Sequence, residues 1–197
     1  MGHTDWQNAT WLADPHGPGQ FRFEFDVGGG SVEWARAYVA SPGCAAVEIN
    51  GQSPKVNFRG ICPWVVSGAG VHPRTRYQTH DITAAVVPGK KNAIGILAGN
   101  VMVSYANVVA VIMVQLVGQA PIFFTTSTPG WQQRASSYVT LGNAWQTDID
   151  WTQEEPGWSS AGFQPKDSSW HPATVTVPGI QLMIASPIKF RRFFSLC

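Results

Sequence analysis

The stretch from residue 77 to residue 100 places the tightest limit on how this chain can fold. Residues 77–81 alternate in polarity, reading Tyr-Gln-Thr-His-Asp, which predicts a strand with two different faces. Asp81 and Thr83 carry side chains that bond nearby backbone amides, so we expect the strand to end there in a turn. A structural role is therefore predicted for Asp81.

A second strand is predicted after a polar break. Pro88-Gly89 interrupts the chain, and Lys90-Lys91-Asn92 is expected to keep this break in water. Residues 92–98 then return to an apolar pattern, which Gly99-Asn100 ends. The stretch is thus predicted to form two strands, the second of which delivers an amide side chain to a loop.

Composition favours short strands over helices. The 197 residues include 20 glycines and 14 prolines, and charged residues make up only 13% of the chain. Frequent turn residues between β-branched and aromatic ones are typical of an all-β fold. The formal net charge of +1 gives no general attraction to nucleic acid or to an anionic membrane.

Other segments also carry strand patterns. In residues 21–25 three phenylalanines alternate with Arg22 and Glu24, which predicts that the phenylalanines face inward and the charged side chains outward. Residues 32–40 alternate in the same way. Residues 108–116 are apolar on both faces, which indicates a buried central strand rather than a membrane span.

These patterns predict an all-β sandwich over residues 6–118. Residues 119–197 are expected to form a partly irregular β extension that packs back on the sandwich or links it to a catalytic domain. The N-terminus lacks the basic and apolar regions of a signal peptide. The compartment is left open between the cytoplasm and export as part of a longer chain.

Two loops are candidate functional segments. Asn50-Gly51 is the strongest hairpin signal in the sequence. Residues 55–76 form a long irregular stretch rich in Gly, Pro and basic residues, and loops of this length in a compact domain are often functional. This second loop contains Trp64 and ends at Arg76.

The order of the motifs resembles that of a known family. The matching segments are Trp11-Leu12, Phe21–Phe25, Ala35–Val39, Val47–Gly51, Tyr77–Thr83, Gly89–Gly95, Ala98–Asn100 and Asp167–Ala173. Together they resemble the N-terminal, non-catalytic β-sandwich of bacterial-type α-L-rhamnosidases, over residues 6–190. The family often has Leu-Gly-Asn-Gly-Trp where residues 98–102 read Ala-Gly-Asn-Val-Met, so one aromatic residue expected near the site is absent.

The resemblance implies a galactose-binding-like jelly roll with a sugar site at its rim. In the resembled modules, the loops that hold Asn50 and Asn100 here meet at the ligand and at a calcium ion. Asn50 and Asn100 are therefore the expected sugar and calcium ligands, with Trp64 as a stacking face and Arg76 as a donor to hydroxyl groups. Amide oxygens suit calcium, and an aromatic face suits the apolar side of a sugar ring. Terminal rhamnose or a similar sugar is the expected partner.

Each candidate also has a structural interpretation. Asn50-Gly51 is compatible with a type I′ turn alone, Asn100 with a cap, and Trp64 with a position in the core. The alternative to sugar binding is thus a purely structural domain of an α-L-rhamnosidase-like glycoside hydrolase, without a ligand of its own.

No catalytic residue is predicted. In the resembled enzymes a catalytic helical barrel follows this region, whereas this sequence stops at Cys197. Four acidic residues are the one alternative source of the paired carboxylates that glycoside hydrolysis needs, namely Asp148, Asp150, Glu154 and Glu155. A small hydrolase that uses these acids is the third hypothesis, after the carbohydrate-binding accessory module and the structural domain.

Overall fold

Two antiparallel sheets packed face to face form the described part of the chain. The structure is a computed structural model, and it describes residues 6, 9–15, 17–41, 44–54, 77–99, 106–140 and 147–176. The strands are β1 Trp11–Asp14, β2 Gly19–Asp26, β3 Val32–Ala40, β4 Cys44–Ile49, β5 Tyr77–Asp81, β6 Lys91–Gly99, β7 Ala106–Leu116, β8 Ile122–Thr125, β9 Gln132–Ala135, β10 Tyr138–Thr140, β11 Thr147–Ile149, β12 His171–Pro172 and β13 Thr174–Thr176. A 3-10 helix spans Trp151–Gln153. The predicted all-β jelly-roll sandwich is confirmed.

The two sheets contain strands from distant parts of the chain. The first sheet runs β13-β1-β7-β3-β5, and β8 also pairs with β7. The second sheet runs β12-β9-β2-β6-β4, while β10 and β11 form a separate pair. β1 and β8 pair with different parts of β7, at Val108 and at Val111 to Val114. Strands from beyond residue 118 therefore belong to both sheets, and the predicted division into two units at that point stays a prediction.

The core lies between the two sheets. Phe21, Phe23 and Phe25 of β2 are buried and face inward, as their alternation predicts. The rings of Phe23 and Phe25 pack against Phe124, and the ring centroid of Phe23 lies 5.2 Å from that of Trp131. Ring pairs at this spacing contribute more than the area they bury.

β7 is the central strand of the first sheet, as its apolar pattern predicts. Its inner face contributes Val108, Ala110 and Ile112 to the main core. Its outer face contributes Val109 and Val111 to a second cluster, which we call the outer cluster. The other buried members of the outer cluster are Trp6, Tyr38 and Ala40. The N-terminal Trp6 thus covers a face that would otherwise expose apolar side chains.

The outer face of the second sheet is covered by residues 151–170, which we call the strap. Trp158 and Ser159 of the strap lie directly on Gly95 of β6. The Gly51 amide donates to the Ser159 carbonyl over 3.3 Å. Arg22 points away from the core, as its alternation predicts, but the strap covers it and only 6% of its side chain is exposed.

Two turns form as the sequence predicts. Asn50 and Gly51 both have positive φ, 51° and 76°, as a type I′ turn requires, and Ile49 and Gln52 exchange backbone hydrogen bonds across it. Oδ1 of Asp81 accepts from the Thr83 amide at 3.0 Å and from its hydroxyl at 2.6 Å. These two hydrogen bonds hold the pKa of Asp81 below its ordinary value. The described residues contain no helix with the length and apolarity needed to cross a bilayer.

Gly95→Ala is expected to lower the free energy of unfolding by about 1–3 kcal/mol, the usual cost of overpacking. A Cβ at this position would lie 2.4 Å from Cβ of Ser159 and 2.8 Å from the Trp158 ring, so the strap would have to move. Gly29→Ala is the matched control, because its Cβ would meet no atom within 4 Å. Urea denaturation followed by tryptophan fluorescence measures both variants. Equal midpoints for the two would contradict the close packing of the strap.

Candidate functional site

The Asn50 side chain is tied to three neighbouring groups. Its Nδ2 donates to the Ala85 carbonyl at 2.8 Å and to Oδ1 of Asn92 at 2.9 Å. Its Oδ1 accepts from the Ala93 amide at 2.8 Å. Both amide donors and one oxygen lone pair are thus engaged within the chain. These contacts fix the end of β4 against the start of β6.

Asn92 accepts a hydrogen bond from Asn50, and the prediction that Asn92 stays in water is wrong. It is fully buried, and its Nδ2 donates to the carbonyls of Val87 and Lys90. Its Oδ1 accepts from the Val87 amide and from Asn50. A lone amide residue at the start of an apolar strand was the available signal, since such a residue needs partners when buried.

The register of β4 and β6 places Asn50 and Gly99 at opposite ends of one strand pair. Asn50 follows Ile49, which pairs with Ile94, and its backbone amide donates to the Ala93 carbonyl. Gly99 instead lies opposite Cys44, at the other end of the same strand pair. The strand from Ala93 to Gly99 is about 20 Å long, at about 3.3 Å per residue.

Asn100 lies outside the described residues. The expectation that Asn50 and Asn100 together bind a sugar and a calcium ion therefore stays a prediction.

The other predicted ligands are not placed by the structure. Trp64 and Arg76 lie outside the described residues, so their roles stay predictions. Within the described ranges, no group of three or more His, Cys, Asp and Glu side chains could hold a metal ion. Calcium bound at any other place in the chain likewise stays a prediction.

Three of the four acidic residues considered for catalysis make structural contacts. Oδ1 of Asp150 caps the 3-10 helix by accepting from the Thr152 amide and hydroxyl. Glu154 accepts from the Ser137 hydroxyl, and Glu155 forms a 2.6 Å ion pair with Arg134. The side chain of Asp148 lies outside the described part. These contacts bind the acids to the fold rather than aiming a pair across a cleft.

Two buried arginines hold the strap on the second sheet. Arg22 donates through Nε to the Trp158 carbonyl at 2.9 Å and through Nη2 to Glu24 at 2.6 Å. Its guanidinium carbon lies 5.3 Å from the centre of the Phe163 ring. The guanidinium carbon of Arg134 lies 5.7 Å from the centre of the Trp170 ring. Each arginine therefore combines an ion pair with a cation–π contact.

The contacts of Glu24 stabilise the charged form of its carboxylate. Burial tends to raise the pKa of Glu24, but the hydrogen bond from Arg22, the Gly162 amide and the charges of Arg22 and Lys91 outweigh it. The net result is a pKa below the ordinary value of a glutamate. Glu24 is thus a charged anchor for the strap at neutral pH.

Fold and contacts together define a β-sandwich module of the jelly-roll type. The sequence profile described as "Alpha-L-rhamnosidase N-terminal domain" matches residues 30–189. The chain belongs to this family, and the resemblance seen in its motifs is confirmed.

One curated relative extends this comparison. An alpha-L-rhamnosidase of Streptomyces avermitilis is 26% identical over 185 residues, which cover 82% of this chain and 17% of the relative. The chain therefore spans less than a fifth of the length of that relative.

Solved structures share the fold. The native α-L-rhamnosidase of Aspergillus terreus matches with a TM-score of 0.70 and 22% identity, over 90% of this chain and 22% of that one. A lectin of Pleurotus ostreatus in complex with GalNAc matches with a TM-score of 0.55 and 13% identity, over 86% of this chain and 42% of the lectin. At these identities the likeness concerns the fold alone.

Arg134→Met is expected to lower the free energy of unfolding by about 3–5 kcal/mol, because it leaves the Glu155 charge buried without its partner. Only 5% of either side chain is exposed. The double variant Arg134→Met with Glu155→Leu should recover much of this loss, since both charges are removed. Guanidinium denaturation of the two variants measures the difference. A double variant less stable than the single one would contradict the interpretation.

Glu24→Gln is expected to destabilise the protein at neutral pH and to matter less in acid. A carboxyl whose pKa is lowered by folding adds stability above its unfolded pKa of about 4.3, and this stability is lost as the pH falls through the folded pKa. The gap in unfolding free energy between wild type and variant should therefore shrink from pH 7 towards pH 3. Urea denaturation across this range tests it. A gap that stays constant would rule out the anchoring role of the charge.

Proposed function

We propose that this chain is a non-catalytic accessory module of an α-L-rhamnosidase-type glycoside hydrolase, and that it binds carbohydrate. Terminal rhamnose or a similar sugar is the proposed ligand, and a catalytic domain is the proposed protein partner. The observation that carries the proposal is the family match over residues 30–189. Support for sugar binding comes from the lectin that shares the fold and is described in complex with GalNAc.

The contacts of the acidic residues favour an accessory role over catalysis. A retaining or inverting glycosidase needs two carboxyl groups that face the scissile bond, about 5–10 Å apart. Glu155 is buried in an ion pair, and Asp150 is occupied by the groups of its own turn. Both carboxylates thus make contacts within the fold, which supports a structural role for them.

A purely structural domain is the second candidate, and the Asn50 contacts favour it. The amide that was expected to bind sugar instead joins β4 to β6. The exposed Phe123 and Val175 would also suit a face that packs against another domain. In this case the module would orient a catalytic domain and bind no sugar itself.

Calorimetric titration of the full chain with L-rhamnose and methyl α-L-rhamnoside tests the proposal. We expect weak binding, with a Kd of about 1 mM, because one small sugar offers limited contact area. Parallel titrations in calcium and in a chelator test whether calcium contributes. Maltose serves as the control sugar.

Absence of heat with every sugar, with and without calcium, would favour the structural domain. Hydrolysis of an aryl rhamnoside by the same preparation would revive the hydrolase hypothesis. That activity would have to disappear in Asp150→Asn and Glu154→Gln.

A further inference from the structure

Trp151 is exposed to solvent, whereas most of the other described tryptophans are buried. It begins the 3-10 helix, and 72% of its surface is open to solvent. Trp131, Trp158 and Trp170 are each at most 8% exposed. An exposed indole presents a large apolar face that a ligand can cover.

Hydrogen bonds fix the backbone that carries the indole. The Asp150 amide donates to the Ser137 carbonyl at 2.8 Å, which joins the helix to the chain after β9. Asp150 also accepts from Nε2 of Gln153 at 3.0 Å, and the Glu154 amide donates to the Trp151 carbonyl. A fixed backbone reduces the conformational freedom that is lost when a ligand binds.

The residues beside the indole are polar. Thr152 and Gln153 follow it in the 3-10 helix and are exposed. The Asp150 carboxylate lies behind them, and its pKa is lowered chiefly by the Thr152 hydroxyl and amide, so it stays charged. A flat apolar face with hydroxyl, amide and carboxylate groups beside it matches the two sides of a pyranose ring.

A different exposed aromatic residue lacks these surroundings. Phe123 of β8 is 54% exposed, and it pairs across the sheet with the apolar Met113. Apolar neighbours favour contact with a protein surface rather than a sugar. The polar setting of Trp151 therefore distinguishes a sugar from a protein partner.

We propose that Trp151 is the stacking platform of a monosaccharide subsite, with Gln153 and Thr152 as the groups that meet sugar hydroxyls. The inference rests on the proposed carbohydrate-binding function and names the place on the surface where it occurs. The ligand class is a pyranose with one apolar face, such as a 6-deoxyhexose. This subsite lies on the strap, not on the loop that holds Asn50.

Trp151→Ala in the full chain tests the subsite, with Phe123→Ala as the matched control. Titration with L-rhamnose should show at least a tenfold weaker affinity for Trp151→Ala and an unchanged affinity for Phe123→Ala. Trp151→Phe should recover part of the affinity, because it restores an aromatic face. Because Trp151 is exposed, thermal melts of all variants should match that of the wild type.

A second measurement does not depend on any variant. N-bromosuccinimide oxidises exposed tryptophans, and peptide mapping by mass spectrometry reports the modified site. Saturating L-rhamnose should protect Trp151 from oxidation in the wild-type chain, whereas maltose should not.

The outcomes separate this inference from the function on which it rests. Wild-type affinity in Trp151→Ala, or unprotected Trp151 in a chain that binds rhamnose, would overturn the subsite and leave carbohydrate binding intact. Equal losses in Trp151→Ala and Phe123→Ala would also overturn it, since the effect would not be local. A wild-type chain that binds no sugar would overturn both.

Discussion

The strap is bound to the second sheet by two buried guanidinium groups, those of Arg22 and Arg134. Each must satisfy five N–H donors in a place with little water, and the strap supplies acceptors that the sheet alone lacks. Arg22 reaches the carbonyls of Trp158 and Ser160, and Arg134 reaches Glu155. A lysine could not serve, because its single ammonium cannot bond several directions in one plane or stack on a ring.

The main features of the fold could be predicted from local patterns. Alternation in residues 21–25 and the two-sided apolarity of residues 108–116 reflect burial that is decided along the strand itself. The turn at Asn50-Gly51 is likewise local, because only certain residues tolerate positive φ. The burial of Arg22 could not be predicted, since it depends on Trp158, which is far away in sequence.

The candidate site was harder to predict because it required knowing which ends of strands meet. A residue type such as asparagine suits a turn, a cap and a ligand equally well. The choice depends on contacts between distant segments, such as those of Asn50 with Ala85 and Asn92. Exposure of Trp151 was also unpredictable, because nine tryptophans in one sequence give no sign of which one the fold leaves uncovered.

β1 and β13 lie side by side, with Trp11 opposite Thr176. The first and last strands of the described part therefore leave the sandwich at one corner. A domain whose two ends lie close together can be inserted into another polypeptide without disrupting its own sheets. Connecting segments at such a corner would tether any neighbouring domain from one side.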